Sequence, residues 1–170
     1  VQASETYEQA AQLFWNTGES GRALYALVGP ETVGPDLLTP IVGRGSAFAD
    51  VDGDGDLDVV LTVNGGPARL FRNEGGNRNQ WIRLILVGRK SNRDGIGARV
   101  EVESGGQIQK RQHFPAKGYL SSVEFPLTFG LGQSAKADKV RITWPSGEST
   151  ELTDLAAGKT HTVEEGAVLK

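Results

Sequence analysis

The 170-residue sequence contains no cysteine and no methionine. Without cysteine the chain can have no disulfide framework, no thiolate zinc site and no cysteine nucleophile. The absence of methionine, even at residue 1, predicts a processed or cut chain from which any signal peptide has been removed. The only two histidines, His113 and His161, lie far apart along the chain, which argues against a histidine-rich metal centre.

Long apolar runs and an excess of basic charge are also missing. No apolar run approaches the roughly 18 residues that a membrane span needs, so no membrane span is predicted. The 18 basic and 21 acidic residues give a net charge of −3, which argues against a nucleic-acid partner. Five of the acids alternate along the chain from Asp50 to Asp58, and without them 16 acidic residues face 18 basic ones. The acidity is therefore one local feature.

Glycine is abundant, at 23 residues, with seven prolines, which excludes a helical bundle and indicates many turns. Tyr7, Ala10, Ala11 and Phe14 have the spacing of a short amphipathic helix, but Gln12 to Asn16 fits an apolar strand equally well. Residues 75–80 are wholly polar or glycine and mark the best domain boundary. Gly105-Gly106 predicts a two-residue hairpin turn. Short strands are predicted at 23–28, 46–49, 59–63, 68–73, 81–87, 98–103, 107–114, 125–131, 139–144, 149–152 and 159–163.

The acidic segment from Asp50 to Asp58 carries the strongest chemical signal. Carboxylates at positions 1, 3 and 5 of a tight loop can converge on Ca²⁺, with glycine at position 6 allowing the turn. Asp50, Asp52 and Asp54 occupy those three positions, Asp56 would add its backbone carbonyl, and Asp58 would close the shell. Position 12 is a leucine, so the loop is not an EF-hand. A solvated acidic turn and a site for Mg²⁺ or Mn²⁺ remain the alternatives.

Two resemblances follow from these motifs. Residues 47–73, with the acidic loop and the run Asn64-Gly65-Gly66-Pro67, resemble an FG-GAP/VCBS propeller repeat, whose Asp-rich loop binds Ca²⁺. Gln12 to Asn16 is similar to Arg69 to Asn73, which favours a strand over a helix there. Residues 80–163 resemble the ASPIC/UnbV domain of cartilage-acidic-protein-like chains. The matching pieces of that domain are Lys90 to Ala98, Gly118 to Ser122, Phe129 to Gly132 and Trp144 to Gly147.

The predicted fold is all-β: a partial β-propeller blade region over residues 1–76, joined to an antiparallel β-sandwich over 80–165. The resemblance implies a Ca²⁺-binding module, extracellular or periplasmic, that is the C-terminal part of a longer propeller protein. We expect a non-enzymatic adhesion or scaffold role with an unidentified protein or polysaccharide partner. The alternative is a carbohydrate-binding module, which would have to present Trp81 or Trp144 to solvent.

Two further features have an ordinary structural explanation. The Ser91–Gly97 loop contains groups that could hold a ligand, but its side chains can equally satisfy its own backbone. His113, with Asp94 and Ser121-Ser122, suggests a hydrolytic triad. No Gly-x-Ser-x-Gly turn surrounds either serine, so we predict no catalytic residues.

Overall fold

The computed structural model describes residues 6–18 and 24–167. These residues are mostly β, with 47% of them in strands and 4% in helices. No helix in the described part is both long and apolar enough to cross a membrane. The helical elements are α1, Pro30–Val33, and a 3₁₀ turn, Gly76–Arg78. The strands are β1 Phe14–Asn16, β2 Tyr25–Leu27, β3 Gly43–Ala49, β4 Asp58–Val63, β5 Arg69–Phe71, β6 Gln80–Val87, β7 Arg99–Ser104, β8 Gln107–Gln112, β9 Leu127–Gly132, β10 Lys136–Thr143, β11 Ser149–Ala156 and β12 Lys159–Glu164.

Every predicted strand has a counterpart in the structure, with shifted ends. Phe14–Asn16 is a strand, which confirms the interpretation drawn from the repeat-like motif and not the helical one. Residue 23, the first of the strand predicted at 23–28, lies outside the described residues. The Gly105-Gly106 hairpin is confirmed: Ser104 pairs with Gln107, and both glycines have positive φ, at 55° and 77°. That is the backbone of a two-residue type I′ turn.

The chain divides into two compact units. The first comprises Val1–Ser46 with Val60–Phe71, and the second Ala47–Val59 with Arg72–Lys170. The division runs through β3 and β4, and it groups the acidic loop with the C-terminal strands. The domain limits 1–76 and 80–165 stay predictions.

The second unit contains two sheets. The first has the order β11-β10-β7-β8 and its pairs are antiparallel. The second has the order β12-β6-β9, in which β6 is antiparallel to β9 but parallel to β12. The prediction of an antiparallel sandwich is therefore wrong for one strand pair. Ala157 and Gly158 carry the chain from the edge of one sheet to the edge of the other, so β12 does not fold back beside β11 as a hairpin.

The inner faces of these two sheets supply one hydrophobic core. Alternation along β6 and β7 explains it, because every second residue points to the same face of a strand. Ile82, Leu84 and Leu86 of β6 are buried, as are Val100 and Val102 of β7. The remaining members of the cluster are Ala98, Leu127, Phe129, Leu131, Ala137, Val140, Ile142, Trp144, Leu152 and Val163.

The first unit is built differently. Its strands β1 and β2 form a two-stranded sheet in which Phe14 pairs with Leu27, and both side chains are exposed. Strands β3, β4 and β5 follow one another in a three-stranded sheet, in chain order. Among the described residues of this unit, Ile41 is the one apolar side chain that is buried. The elements of this unit therefore share little apolar core.

Candidate metal centre

The acidic loop connects β3 to β4. Gly53 and Gly55 adopt φ values of +79° and +97°, a region that side chains with a Cβ rarely enter. These two positions let the chain turn twice within six residues. A Cβ on Gly55 would lie 2.0–2.3 Å from indole atoms of Trp81, so the loop backbone packs directly on that ring. Glycine is therefore required at position 55 both for its backbone angle and for space.

The turn brings three of the five predicted aspartates together. Asp50, Asp52 and Asp54 each offer a carboxylate oxygen, and these oxygens lie within 4.8 Å of one another. Oxygens bound to one Ca²⁺ at 2.3–2.6 Å can be at most about 5 Å apart. The cluster therefore has the dimensions and the donor type that Ca²⁺ requires.

Asp58 points its carboxylate at backbone amides. It is buried, and it accepts hydrogen bonds from Val51 N at 3.0 Å and from Asn73 N at 2.8 Å. These bonds join the two ends of the acidic loop to the segment that follows β5. In this geometry Asp58 braces the loop, and its predicted role as a metal ligand stays a prediction.

Asp56 shows an unusual combination of satisfied and unsatisfied oxygens. Its Oδ2 accepts from Gly76 N at 3.0 Å and from Asn77 N at 3.3 Å. Its Oδ1 is buried and has no hydrogen-bond partner among the described residues. Burial raises the pKa of Asp56; the bond from the Asn77 amide opposes this, and the charge of Asp54 adds to it. A buried carboxylate oxygen without a partner beside other carboxylates is an arrangement that a bound cation would satisfy.

Basic and amide side chains from outside the loop complete its surroundings. Arg83 pairs with both Asp50 and Glu124, and Arg72 pairs with Asp52. Asn77 donates from Nδ2 to Asp54 Oδ2 at 2.7 Å. Sequence reasoning did not assign these contacts. Arg83 could have been singled out from the sequence, because it is the one charged residue in the apolar run from Trp81 to Val87.

Glu124 is the second partner of Arg83. Its Oε2 also accepts from Asp50 N at 3.3 Å, while its Oε1 is buried without a hydrogen-bond partner in the described chain. Burial raises the pKa of Glu124, and the charge of Arg83 opposes the rise. Asp50, Arg83 and Glu124 thus form a largely buried ionic triad on the outer face of β6.

Two of the residues considered for hydrolysis contact backbone oxygens in the structure. His113 is buried, and its Nε2 lies 3.0 Å from the backbone oxygen of Asp94, not from its carboxylate. Burial lowers the pKa of His113, the bond to Asp94 opposes this, and the charge of Lys117 adds to it. Ser121 donates its hydroxyl to Tyr119 O at 2.8 Å. The imidazole of His113 and the hydroxyl of Ser121 are thus both engaged with backbone oxygens.

Within the Ser91–Gly97 loop, the side chain of Asn92 satisfies backbone groups of the same loop, as its ordinary explanation predicts. Asn92 accepts from Ile96 N at 2.8 Å and donates to Ile96 O at 2.7 Å. Sequence reasoning missed Glu165, whose Oε2 accepts from the consecutive amides of Arg89, Lys90 and Ser91 at 2.7 Å each. Nothing near Glu165 in sequence signals this role, because these three amide donors lie more than 70 residues earlier.

Comparison with known proteins agrees with the C-terminal part of the fold. Residues 88–170 match the family model described as ASPIC and UnbV, so this part of the chain is an ASPIC/UnbV domain. The corresponding resemblance drawn from residues 80–163 is confirmed. The resemblance of residues 47–73 to an FG-GAP repeat stays a prediction.

Three curated relatives share the name "Cartilage acidic protein 1". The Homo sapiens protein is 30% identical over 141 residues, which cover 72% of this chain and 19% of the relative. The Xenopus tropicalis protein is 34% identical and the Mus musculus protein 31% identical, each over 124 residues that cover 62% of this chain and 17% of the relative. The chain therefore spans less than a fifth of the length of the curated relatives it matches.

Proposed function

We propose that this chain, with its ASPIC/UnbV domain, is a Ca²⁺-binding, non-enzymatic adhesion or scaffold module that acts outside the cytoplasm. The observation that carries the proposal is that carboxylate oxygens of Asp50, Asp52 and Asp54 lie within 4.8 Å of one another. Asp56, through its carbonyl, and Asp58 complete the proposed ligand set. Bound Ca²⁺ would neutralise the repelling carboxylates and hold the loop in its folded conformation.

The location outside the cytoplasm rests on two supporting points. Extracellular Ca²⁺ is abundant enough to fill sites with dissociation constants of about 10⁻⁴–10⁻³ M, the range of extracellular modules. The relatives' shared name refers to cartilage, a tissue that consists largely of extracellular matrix. We propose an extracellular or periplasmic location on this basis.

The proposed module includes part of a β-propeller blade joined to a β-sandwich. The three-stranded sheet β3-β4-β5 with the Asp-rich loop between its first two strands supports the blade. The exposed apolar side chains of β1 and β2, Phe14, Trp15, Tyr25 and Leu27, support it as well. A two-stranded sheet with apolar groups exposed on both faces is marginal alone, as a fragment of a propeller would be.

The carbohydrate-binding alternative is less well supported. Trp144 is 2% exposed and donates from its indole N–H to Thr150 Oγ1, so it cannot offer a face to a sugar. Trp81 is half-buried beneath Gly55. The two aromatic residues named for sugar stacking are therefore engaged in packing, which leaves the adhesion or scaffold role as the proposal.

Thermal unfolding with Ca²⁺ and with EDTA tests the metal site directly. Ca²⁺ at one hundred times its dissociation constant should stabilise the fold by about 2.7 kcal/mol. For a chain of this length that corresponds to a rise in Tm of roughly 5–11 °C. Asp52→Ala should abolish the response, whereas Asp36→Asn, a change at an exposed aspartate outside the loop, should preserve it.

The quantity to compare is the difference in Tm with and without Ca²⁺ for each variant. Metal-free Asp52→Ala can melt slightly higher than the metal-free wild type, because one repelling carboxylate has been removed. A wild-type protein whose Tm is the same in Ca²⁺ and in EDTA would refute the proposed metal site.

A further inference from the structure

The acidic loop contains no positive charge of its own. Arg83, from β6, supplies one beside the carboxylate cluster. Its guanidinium contacts Asp50 through Nη1 and Glu124 through Nη2. The side chain of Asp50 is 3% exposed and that of Arg83 is 12% exposed. A largely buried cation therefore already touches one of the three carboxylates that come together for Ca²⁺.

Glu124 holds Arg83 in this position. Glu124 Oε2 accepts from Asp50 N, and Glu124 N donates to Phe48 O at 3.3 Å, so its own backbone and side chain are both attached to the chain entering the loop. If Arg83 moved away to admit a metal ion, the ion would take its place beside Asp50, but the largely buried carboxylate of Glu124 would lose its ion pair. That loss is strongly unfavourable, so Arg83 stays close when the ion binds.

We propose that Arg83 is an internal counter-cation that sets the strength of the Ca²⁺ site. It balances the charge of Asp50 in the metal-free loop, which allows the loop to fold without metal. It also repels a divalent ion bound to the same carboxylate, which weakens Ca²⁺ binding. This inference rests on the proposed Ca²⁺ function and adds the residue that tunes it.

Arg72 provides a matched comparison in the same protein. It pairs with Asp52, another member of the cluster, but its side chain is 54% exposed. Water and salt screen an exposed charge far more than a buried one. Both arginines contact a carboxylate of the cluster, and they differ in burial. We therefore expect Arg83 to affect the affinity for Ca²⁺ and Arg72 to have little effect on it.

Isothermal titration of the full chain with CaCl₂ tests the inference. Arg83→Gln should bind Ca²⁺ about tenfold more tightly than the wild type, a typical size for the coupling between two interacting sites. Arg72→Gln should change the dissociation constant by less than about threefold. If Arg83 only stabilised the conformation of the loop, Arg83→Gln would bind Ca²⁺ more weakly than the wild type.

A second pair of variants covers the case in which Arg83→Gln fails to fold. Glu124→Gln removes a negative charge and leaves Arg83 less compensated, so it should weaken Ca²⁺ binding. Arg83→Gln added to Glu124→Gln then removes the cation without leaving Glu124 as an unpaired charge. The double variant should bind Ca²⁺ more tightly than Glu124→Gln alone, and near-ultraviolet circular dichroism should show that both are folded.

The outcomes separate the two proposals. If the wild type gives neither binding heat nor a change in Tm with CaCl₂, the proposed Ca²⁺ function fails and this inference fails with it. If the wild type binds but removal of Arg83 leaves the affinity unchanged or weaker in both backgrounds, only the role of Arg83 is overturned. Tighter binding in either folded comparison supports it.

Discussion

The second unit buries fifteen apolar side chains in one cluster, whereas Ile41 is the one apolar side chain buried in the described part of the first unit. Both units are made of short strands, so strand content does not distinguish them. The difference lies in whether two sheet faces meet, because burial of apolar surface is the main favourable term in folding. The stability of this chain should therefore reside in the second unit.

The largest expected effect comes from truncating one core residue. Phe129→Ala, in β9, should reduce the free energy of unfolding by about 3–5 kcal/mol, because it removes buried area and leaves a cavity. The same substitution in the first unit, Phe14→Ala, should change it by less than about 0.5 kcal/mol, since Phe14 is exposed. Urea unfolding followed by circular dichroism measures both, and equal losses would contradict the contrast between the units.

A smaller effect is expected from the buried carboxylate of Glu165. Burial by itself would raise its pKa, but hydrogen bonds from Ser146, from the Ser91 and Arg89 amides and from the Ser91 hydroxyl lower it to about 2, from an ordinary 4.5. A carboxyl group whose pKa is lowered in the folded state contributes stability above its unfolded pKa and loses it as the pH falls. Glu165 therefore stabilises the fold above pH 4.5, and this contribution disappears between pH 4.5 and about 2.

The variant Glu165→Gln isolates this contribution from those of other acids. Its Tm should lie below that of the wild type at neutral pH, and the gap should close as the pH falls through that window. Glu164→Gln is the matched control, since Glu164 is exposed and pairs with Arg89 on the surface. A gap between wild type and Glu165→Gln that is constant from pH 7 to pH 2 would show that the carboxylate is not involved.

The smallest effect is expected on the outer, charged face of the four-stranded sheet. Glu101 pairs with Lys110 at 2.8 Å across β7 and β8, and this bond lowers the pKa of Glu101. Both side chains are exposed, and solvent-exposed ion pairs contribute little. Glu101→Gln should leave the urea midpoint nearly unchanged, as we also expect for Phe14→Ala. A clear decrease in the urea midpoint would contradict the expectation that this face of the second unit is exposed to solvent.

Much of the second unit could be predicted from local pattern. Val100 and Val102 alternate with charged residues, which identified β7 and its buried face, and Gly105-Gly106 identified the hairpin to β8. The parallel pairing of β12 with β6 could not be predicted in this way, because the two strands are about 75 residues apart. Which strand lies beside another depends on how the sheets close, and local periodicity carries no information on that.

The acidic loop shows the same limit at the level of single side chains. The spacing of Asp50, Asp52 and Asp54 with Gly55 predicted their convergence, since it follows from backbone turns within six residues. The same pattern predicted Asp58 as a ligand, which stays a prediction, but it did not predict that the Asp58 carboxylate accepts hydrogen bonds from the amides of Val51 and Asn73. One of these donors, the amide of Asn73, lies 15 residues later in the chain, beyond the reach of the local pattern.

The sequence by itself determined that this chain is made of strands, that its acidity is concentrated in one loop, and that three carboxylates of that loop come together. Those features depend on interactions between near neighbours in the chain. Only the tertiary structure decided that the loop lies on β6, that Trp81 requires glycine at position 55, and that Arg83 and Glu124 balance Asp50. These depend on burial, because the charge of Arg83 acts strongly only where folding has removed the water around it.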